Sequence, residues 1–256
     1  MSDSSELSAD LGYVSELFDG IQGEGLFAGY RQAFIRFSGC GLGCDYCDTK
    51  RAQTREGAFR VFRGGTTVIK ELKNPVEVKT LVSELNALLT ATESISGISI
   101  TGGEPLEQPR FLRQLLLALK PLGHKVHLET NGVESDGLAL VQDLCHVISM
   151  DIKLPSVCGR DDLWDRHAEF LKGAQQGSLV IKIPIARLTK PSEIERAAGM
   201  IKEAGRGAPV FLQPIADKNG DITISYRQII ELYEVCRRHV EDVRVIPQIH
   251  KVIGSP

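Results

Sequence analysis

Three cysteines fall within eight residues in Gly39-Cys40-Gly41-Leu42-Gly43-Cys44-Asp45-Tyr46-Cys47-Asp48-Thr49, directly after an apolar run. Thiolates at Cys-x3-Cys-x2-Cys spacing can converge on one iron-sulfur cluster. A 4Fe-4S cluster held by Cys40, Cys44 and Cys47 alone keeps one iron without a protein ligand. Catalytic metal sites retain such an open position, and structural sites close it. Two blander readings stand beside this one. A zinc site usually wants four ligands, often as two Cys-x2-Cys pairs, and the next cysteine is Cys145. A disulfide knot fits less well, because three close cysteines cannot pair among themselves and the polar residues 1 to 10 contain no secretory core. Cys145, Cys158 and Cys236 stand singly and read as small buried hydrophobes.

Other residues capable of chemistry lie at the ends of apolar segments. Gly97-Ile98-Ser99-Ile100-Thr101 runs into Gly102-Gly103-Glu104-Pro105, and paired glycines there let main-chain groups face a ligand unobstructed. The turn Gln22-Gly23-Glu24-Gly25 offers an amide and a carboxylate to a hydrogen-bonding heterocycle, although polar glycine-rich turns are also common on surfaces. Arg36 interrupts the apolar run Ala33 to Ser38. A guanidinium in that position either snorkels or pairs, or grips a carboxylate in a cavity. Glu129, Ser149, Lys153, Lys182 and Gln213 sit at or near further strand ends, where each is either a binding group or a satisfied structural one. His124, His127, His146, His167 and His239 have no ligand-like spacing and read as core or surface residues.

The elements that must position these groups alternate. Strands are predicted near 12–21, 33–38, 97–101, 125–129, 146–150, 179–184, 209–212 and 243–246. Amphipathic helices are predicted over 75–89, 109–119, 137–144, 191–203 and 226–239. Pro75 suits the first turn of its helix. Residues 51 to 73 are basic with a weak β pattern and read as an insertion or hairpin near the cysteine loop. This alternation implies an α/β fold with a mainly parallel sheet, an incomplete (β/α) barrel whose carboxyl-terminal rim carries the site. A length of 256 residues fits one such domain, with residues 1 to 10 frayed and the apolar tail 245–256 docked. The composition is 42% hydrophobic and 25% charged with net charge -3, which suits a globular chain with a small-molecule substrate better than a general nucleic-acid binder. No apolar run reaches the roughly 20 residues of a membrane helix, so a cytoplasmic location is expected.

The cysteine triplet followed by Gly-Gly-Glu-Pro resembles the radical S-adenosylmethionine superfamily. That resemblance implies that the open iron is chelated by the amino and carboxylate groups of S-adenosylmethionine, whose reductive cleavage gives a 5'-deoxyadenosyl radical. Adding Ile21-Gln22-Gly23-Glu24-Gly25, Phe34-Ile35-Arg36-Phe37-Ser38, Asp48-Thr49, Glu129-Thr130-Asn131-Gly132, Gln213-Pro214 and Gln248-Ile249-His250-Lys251, the chain closely resembles the 7-carboxy-7-deazaguanine synthase family. The implied reaction converts 6-carboxy-5,6,7,8-tetrahydropterin to 7-carboxy-7-deazaguanine and ammonia, on the route to queuosine and archaeosine. By the same resemblance, Gly102, Gly103, Glu104, Glu129, Ser149, Lys153 and Gln213 hold S-adenosylmethionine. Gln22, Glu24, Arg36, Thr101, His250 and the Pro256 carboxylate contact the pterin, and Thr49 reaches a magnesium ion (Mg2+). A flavodoxin or ferredoxin type reductant and a homodimer are implied as well. Ser149-Met150-Asp151-Ile152-Lys153 departs from the shorter Ser-Pro-Lys of the family, which leaves Ser149 and Lys153 without an assured role. A glycyl-radical activase and a non-enzymatic iron-sulfur module are the rival readings.

Overall fold

A computed structural model of the chain describes residues 10–44, 46–47, 49–175, 177–205, 207–217 and 220–254. The first half carries β1 (Leu11–Gly12), β2 (Val14–Ile21), β3 (Arg31–Phe37), β4 (Phe59–Arg63), β5 (Thr67–Leu72), β6 (Val76–Glu77), α1 (Val78–Ala91), β7 (Ile98–Gly102), α2 (Pro109–Leu119) and β8 (Val126–Thr130). The second half carries α3 (Ser135–Val141), β9 (Val147–Asp151), α4 (Pro155–Cys158), α5 (Trp164–Gly173), β10 (Leu179–Ile185), α6 (Pro191–Ala204), β11 (Val210–Pro214), α7 (Tyr226–Arg237), β12 (Val243–Val245) and α8 (Ile249–Ile253).

One sheet runs β12-β11-β10-β9-β8-β7-β3-β2-β4-β5. From β3 through β7 to β12 every neighbouring pair is parallel, whereas β2 meets β3 and β5 meets β4 antiparallel. With β12 and β5 left as edges the sheet does not close, so the fold is the expected incomplete (β/α) barrel. The parallel strands are near-continuous apolar runs because helices cover their outer side. All seven residues of β10 are buried, Lys182 among them. Each covering helix turns one stripe to the sheet. In α2 that stripe is Phe111, Leu112, Leu115, Leu116 and Leu119, and Pro109 fits the first turn. Each such buried leucine contributes roughly 1.5–3 kcal/mol.

One sequence expectation needs correction, and two open stretches gain a structure. Pro75 does not open a helix, because Val76–Glu77 pair antiparallel with Leu11–Gly12 and α1 begins at Val78. Residues 51 to 73 are a hairpin that extends the sheet, with β4 parallel to β2. Residues 154 to 178, unread in the sequence, hold α4 and α5. The stripe of α5 is Trp164, His167, Phe170 and Leu171, and a polar histidine at one of its positions hides the helical period. The frayed start expected over residues 1 to 10 lies outside the described residues except at Asp10, whose carbonyl accepts from Val78 N. Among the described residues, no helix is long and apolar enough to cross a membrane.

Candidate active site

A cavity of about 720 Å³ opens at the carboxyl-terminal rim of the parallel strands. Phe18, Phe34, Ser99 and His127 are register partners across β2, β3, β7 and β8 and share one face, and of these Phe18 and Phe34 line the cavity. The Phe18 and Phe34 rings stack at 4.8 Å. Two residues further on, Glu16, Arg36 and Thr101 form the next row. Arg36 Nε donates to Glu16 Oε2 at 2.8 Å, Arg51 pairs with the other oxygen at 2.5 Å, and the Arg36 guanidinium lies 5.3 Å from the Phe18 ring centroid. Among the described groups, the Nη atoms of Arg36 carry no protein hydrogen bond, and the side chain lines the cavity. A carboxylate-binding fork is thereby anchored through its third nitrogen.

The cysteine loop crosses the mouth. Residues 50–53 brace it, with Gly39 N donating to Ala52 O (2.7 Å) and Cys40 N to Gln53 O (3.0 Å). On the other side, Gly41 N donates to Glu107 Oε1 (2.6 Å). Cys40, Cys44 and Cys47 all line the cavity, while Cys145 and Cys236 do not. Burial pushes the Cys44 thiol up to about 11 and raises that of Cys40. Such thiols ionise at neutral pH when a cation takes them, as iron does. Among the described residues, no three His, Cys, Asp or Glu side chains converge on a single ion. In a cluster each thiolate holds a different iron and no common point is needed. Three thiols lining one cavity are the donor set such a cluster takes.

Gly102 and Gly103 sit where β7 ends, and the structure gives their bareness a second reason. A Cβ on Gly102 would lie 2.3 Å from Phe37 N, and one on Gly103 would lie 2.1 Å from Gly39 O and 2.6 Å from Ala52 O. Any side chain would push this strand end off the cysteine loop. Glu104 is fully buried. Its Oε1 accepts from Leu106 N and Thr130 Oγ1, and its Oε2 accepts from Asn131 N at 2.7 Å. Burial still raises its carboxyl to about 7. A carboxylate has about four lone-pair sites, so one remains for a ligand amine. Asn131 Nδ2 and Gln213 Oε1 are buried with no protein partner, and both residues line the cavity. Unpaired buried polar atoms of this kind suit a polar ligand.

Glu129 Oε1 accepts from Gln22 Nε2 (2.8 Å) and Ser99 Oγ (2.9 Å), and Oε2 pairs with Lys182 at 3.4 Å. Lys153 reaches Asp151 at 2.6 Å and the Tyr46 hydroxyl at 2.8 Å. Burial opposes its charge, but Asp151 overrides this and holds it well above the usual lysine range. Ser149 does not line the cavity. It is buried beneath the floor, with its hydroxyl 2.8 Å from His127 Nε2, so it meets a ligand only if that bond is exchanged. Thr49, 3.8 Å from Cys47 Sγ, lines the mouth, as does Thr101.

The turn at Gln22 to Gly25 meets the chain's last helix. Ile249 N donates to Gly23 O (3.0 Å) and Gln248 Nε2 to Glu24 Oε1 (3.0 Å). His250 packs so closely that a Cβ on Gly23 would lie 2.2 Å from its Nδ1. Gln22, Glu24 and His250 thus share one wall of the cavity with Arg36. Pro256 lies outside the described residues.

The model of the radical SAM superfamily matches residues 34–157. A 7-carboxy-7-deazaguanine synthase of Geobacter sulfurreducens is 38% identical over 244 residues, covering 94% of this chain and 97% of the relative. The chain belongs to the 7-carboxy-7-deazaguanine synthase family. A synthase of Methanopyrus kandleri is 34% identical over 242 residues, covering 94% and 92%. The crystal structure of QueE from Escherichia coli shares the fold with a TM-score of 0.57 at 19% identity, covering 94% and 95%. These relatives do not favour an activase or an electron-transfer module.

Within this member of the 7-carboxy-7-deazaguanine synthase family, sequence reasoning missed several cavity residues. Glu16 holds Arg36 and is itself held by Arg51, Tyr46 caps Lys153, and Gln248 holds Glu24. The sequence marks Asp151 only as part of a motif and Lys182 only as a polar strand residue. Buried charge of opposite sign on adjacent strands was the available signal, since Lys182 and Asp151 are register partners of β10 and β9.

Proposed function

We propose that the chain converts 6-carboxy-5,6,7,8-tetrahydropterin to 7-carboxy-7-deazaguanine with loss of ammonia, and that the cavity at the strand ends is where this happens. The observation that carries the reading is that the cysteine loop, the strand-end glycines and the Gln22 to Gly25 turn all open on one cavity. When bound there, the 4Fe-4S cluster and S-adenosylmethionine supply a one-electron cleavage that yields a carbon radical able to take hydrogen, chemistry that belongs to the cofactor.

The protein's part is to bind, orient and exclude water. Cys40, Cys44 and Cys47 hold the cluster. The backbone at Gly102 and Gly103, with the free lone pair of Glu104, receives the methionyl amine. Glu129, Asn131 and Gln213 meet the nucleoside, and Lys153 the carboxylate end. Arg36 accepts the pterin carboxylate on its Nη edge, with Thr101 beside it in register. Gln22, Glu24 and His250 read the aminopyrimidine edge. A magnesium ion at Thr49 would use one hydroxyl plus substrate oxygens and water, in keeping with its preference for hard ligands. A flavodoxin or ferredoxin type donor supplies the electron, and two copies form a homodimer.

Turnover tests this reading. Anaerobically reconstituted protein, given reductant, magnesium, S-adenosylmethionine and the carboxytetrahydropterin, is expected to release the deazapurine, detected by mass spectrometry. Cys44→Ser should abolish both cluster and product, whereas Cys145→Ser should spare both. Product formation by the Cys44 variant would refute the assignment.

A further inference from the structure

Lys182 is the buried centre of the cavity's charge, and none of the site roles above uses it. Its side chain is 4% exposed and carries three carboxylates: Glu24 at 2.6 Å, Asp151 at 3.2 Å and Glu129 at 3.4 Å. Burial works against its charge, but Asp151, Glu24 and Glu129 together hold it well above the ordinary lysine range. The charged and titratable groups around this knot come from every neighbouring element. They are Glu24 from the turn, Glu129 and His127 from β8, Asp151 from the end of β9 with Lys153 just after it, and His250 and Lys251 from α8.

The three carboxylates do not depend on Lys182 equally. Asp151 has the Lys153 ammonium at 2.6 Å, and Glu129 has the Gln22 amide and the Ser99 hydroxyl. Glu24 takes Lys182 on Oε2 at 2.6 Å, the shortest of the three contacts, and the Gln248 amide on Oε1, so the ammonium aims its carboxylate most directly. The lysine stem also runs alongside the turn: a Cβ added at Gly25, which has φ of +58°, would meet Lys182 Cδ at 3.6 Å, an ordinary van der Waals contact. Removing the charge would leave Glu24, Asp151 and Glu129 facing one another across a desolvated pocket, where like charges drive one of the group to take a proton.

Resting on the pterin reading of this cavity, we propose that Lys182 is a positioning residue that keeps Glu24 ionised and aimed at the pterin's aminopyrimidine edge. A protonated Glu24 has one oxygen turned from acceptor to donor and no longer matches two adjacent N–H groups. Lys182 thereby sets pterin affinity, while S-adenosylmethionine, which meets it only at one remove through Glu129 and through the Asp151–Lys153 pair, depends on it far less.

The test is equilibrium binding of the carboxytetrahydropterin to anaerobically reconstituted protein without reductant, so that no turnover occurs, across pH 6 to 8. Lys182→Met should bind the pterin at least about tenfold more weakly than wild type at pH 8. The deficit should grow toward pH 6 by up to about tenfold per unit as Glu24 takes a proton. Lys182→Arg should stay flat with pH. S-adenosylhomocysteine should bind all three proteins within a few-fold, which also establishes that the Met variant is folded. In a Glu24→Gln background, Lys182→Met should cost little more, because its effect passes through Glu24. Unchanged pterin affinity in Lys182→Met, a loss independent of pH, or full additivity with Glu24→Gln would each overturn the proposal. Failure of wild type to bind the pterin would instead overturn the functional reading, and this inference with it.

Discussion

Arg36 lies inside an apolar strand because Glu16 meets it there. The pair occupies neighbouring register positions of β2 and β3, and the cost of burying a guanidinium is offset through Nε alone. The sequence exposed Arg36 as an anomaly and the resemblance gave it a carboxylate. Neither revealed Glu16, which is separated from it by a hairpin and looks like an ordinary alternating strand residue. Ser149 is the opposite case: a polar residue near a strand end invites a ligand role, and the structure pairs its hydroxyl with His127, a partner the sequence did not announce. Arg36→Lys keeps the charge but loses the fork. The expected outcome is a rise in the KM for the pterin of roughly tenfold to a hundredfold, with affinity for S-adenosylmethionine unchanged. Steady-state kinetics with a parallel binding titration checks this. Equal losses for both ligands would place Arg36 elsewhere.

At the level of elements, the strand-end glycines join two loops before they meet any ligand. Gly103 N donates to Phe37 O (2.9 Å) and Glu104 N to Gly39 O (2.6 Å), so the end of β7 is tied to the start of the cysteine loop. The motif was legible, since adjacent glycines after an apolar run announce a close approach. What they approach was not legible, because backbone neighbours leave no mark in a sequence. Gly103→Ala would drive its methyl into two main-chain carbonyls that cannot rotate away. We expect a loss of about 2–4 kcal/mol of stability and failure to retain the cluster on reconstitution, measured by urea unfolding and by iron content. A stable, cluster-loaded variant would contradict the packing argument. The sequence gives the basic hairpin of β4 and β5 no destination, because its role as a sheet extension depends on pairing with β2, Glu16 opposite Arg60 and Leu17 opposite Val61.

Across the whole molecule, the alternation of strands and helices was sufficient for the fold class, because parallel strands covered by helices leave long apolar runs in the sequence. Helix α5 was missed because a buried histidine breaks its stripe. That histidine, His167, and His127 are both pushed down to about 4 by burial, while burial raises Glu104 to about 7. The two histidines contribute stability present above their unfolded value of roughly 6.5 and lost as pH falls toward 4. Glu104 works in the other direction: its contribution is present below roughly 4.5 and lost as pH rises through 7. Between pH 4.5 and 6.5 these groups leave the unfolded chain holding about one more proton. Stability should therefore rise by about 1.4 kcal/mol per pH unit across that window and turn over near pH 6.5 to 7. Urea midpoints measured at intervals of pH test this, and His167→Asn should flatten the rise. The most direct test of the account itself is an anaerobic crystal structure of the cluster-loaded protein with S-adenosylmethionine and the carboxytetrahydropterin. The pterin is predicted in the cavity with its carboxylate about 3 Å from the Arg36 Nη atoms and its ring edge on Glu24. A pterin bound outside this cavity, with Arg36 still engaged by Glu16 alone, would contradict it.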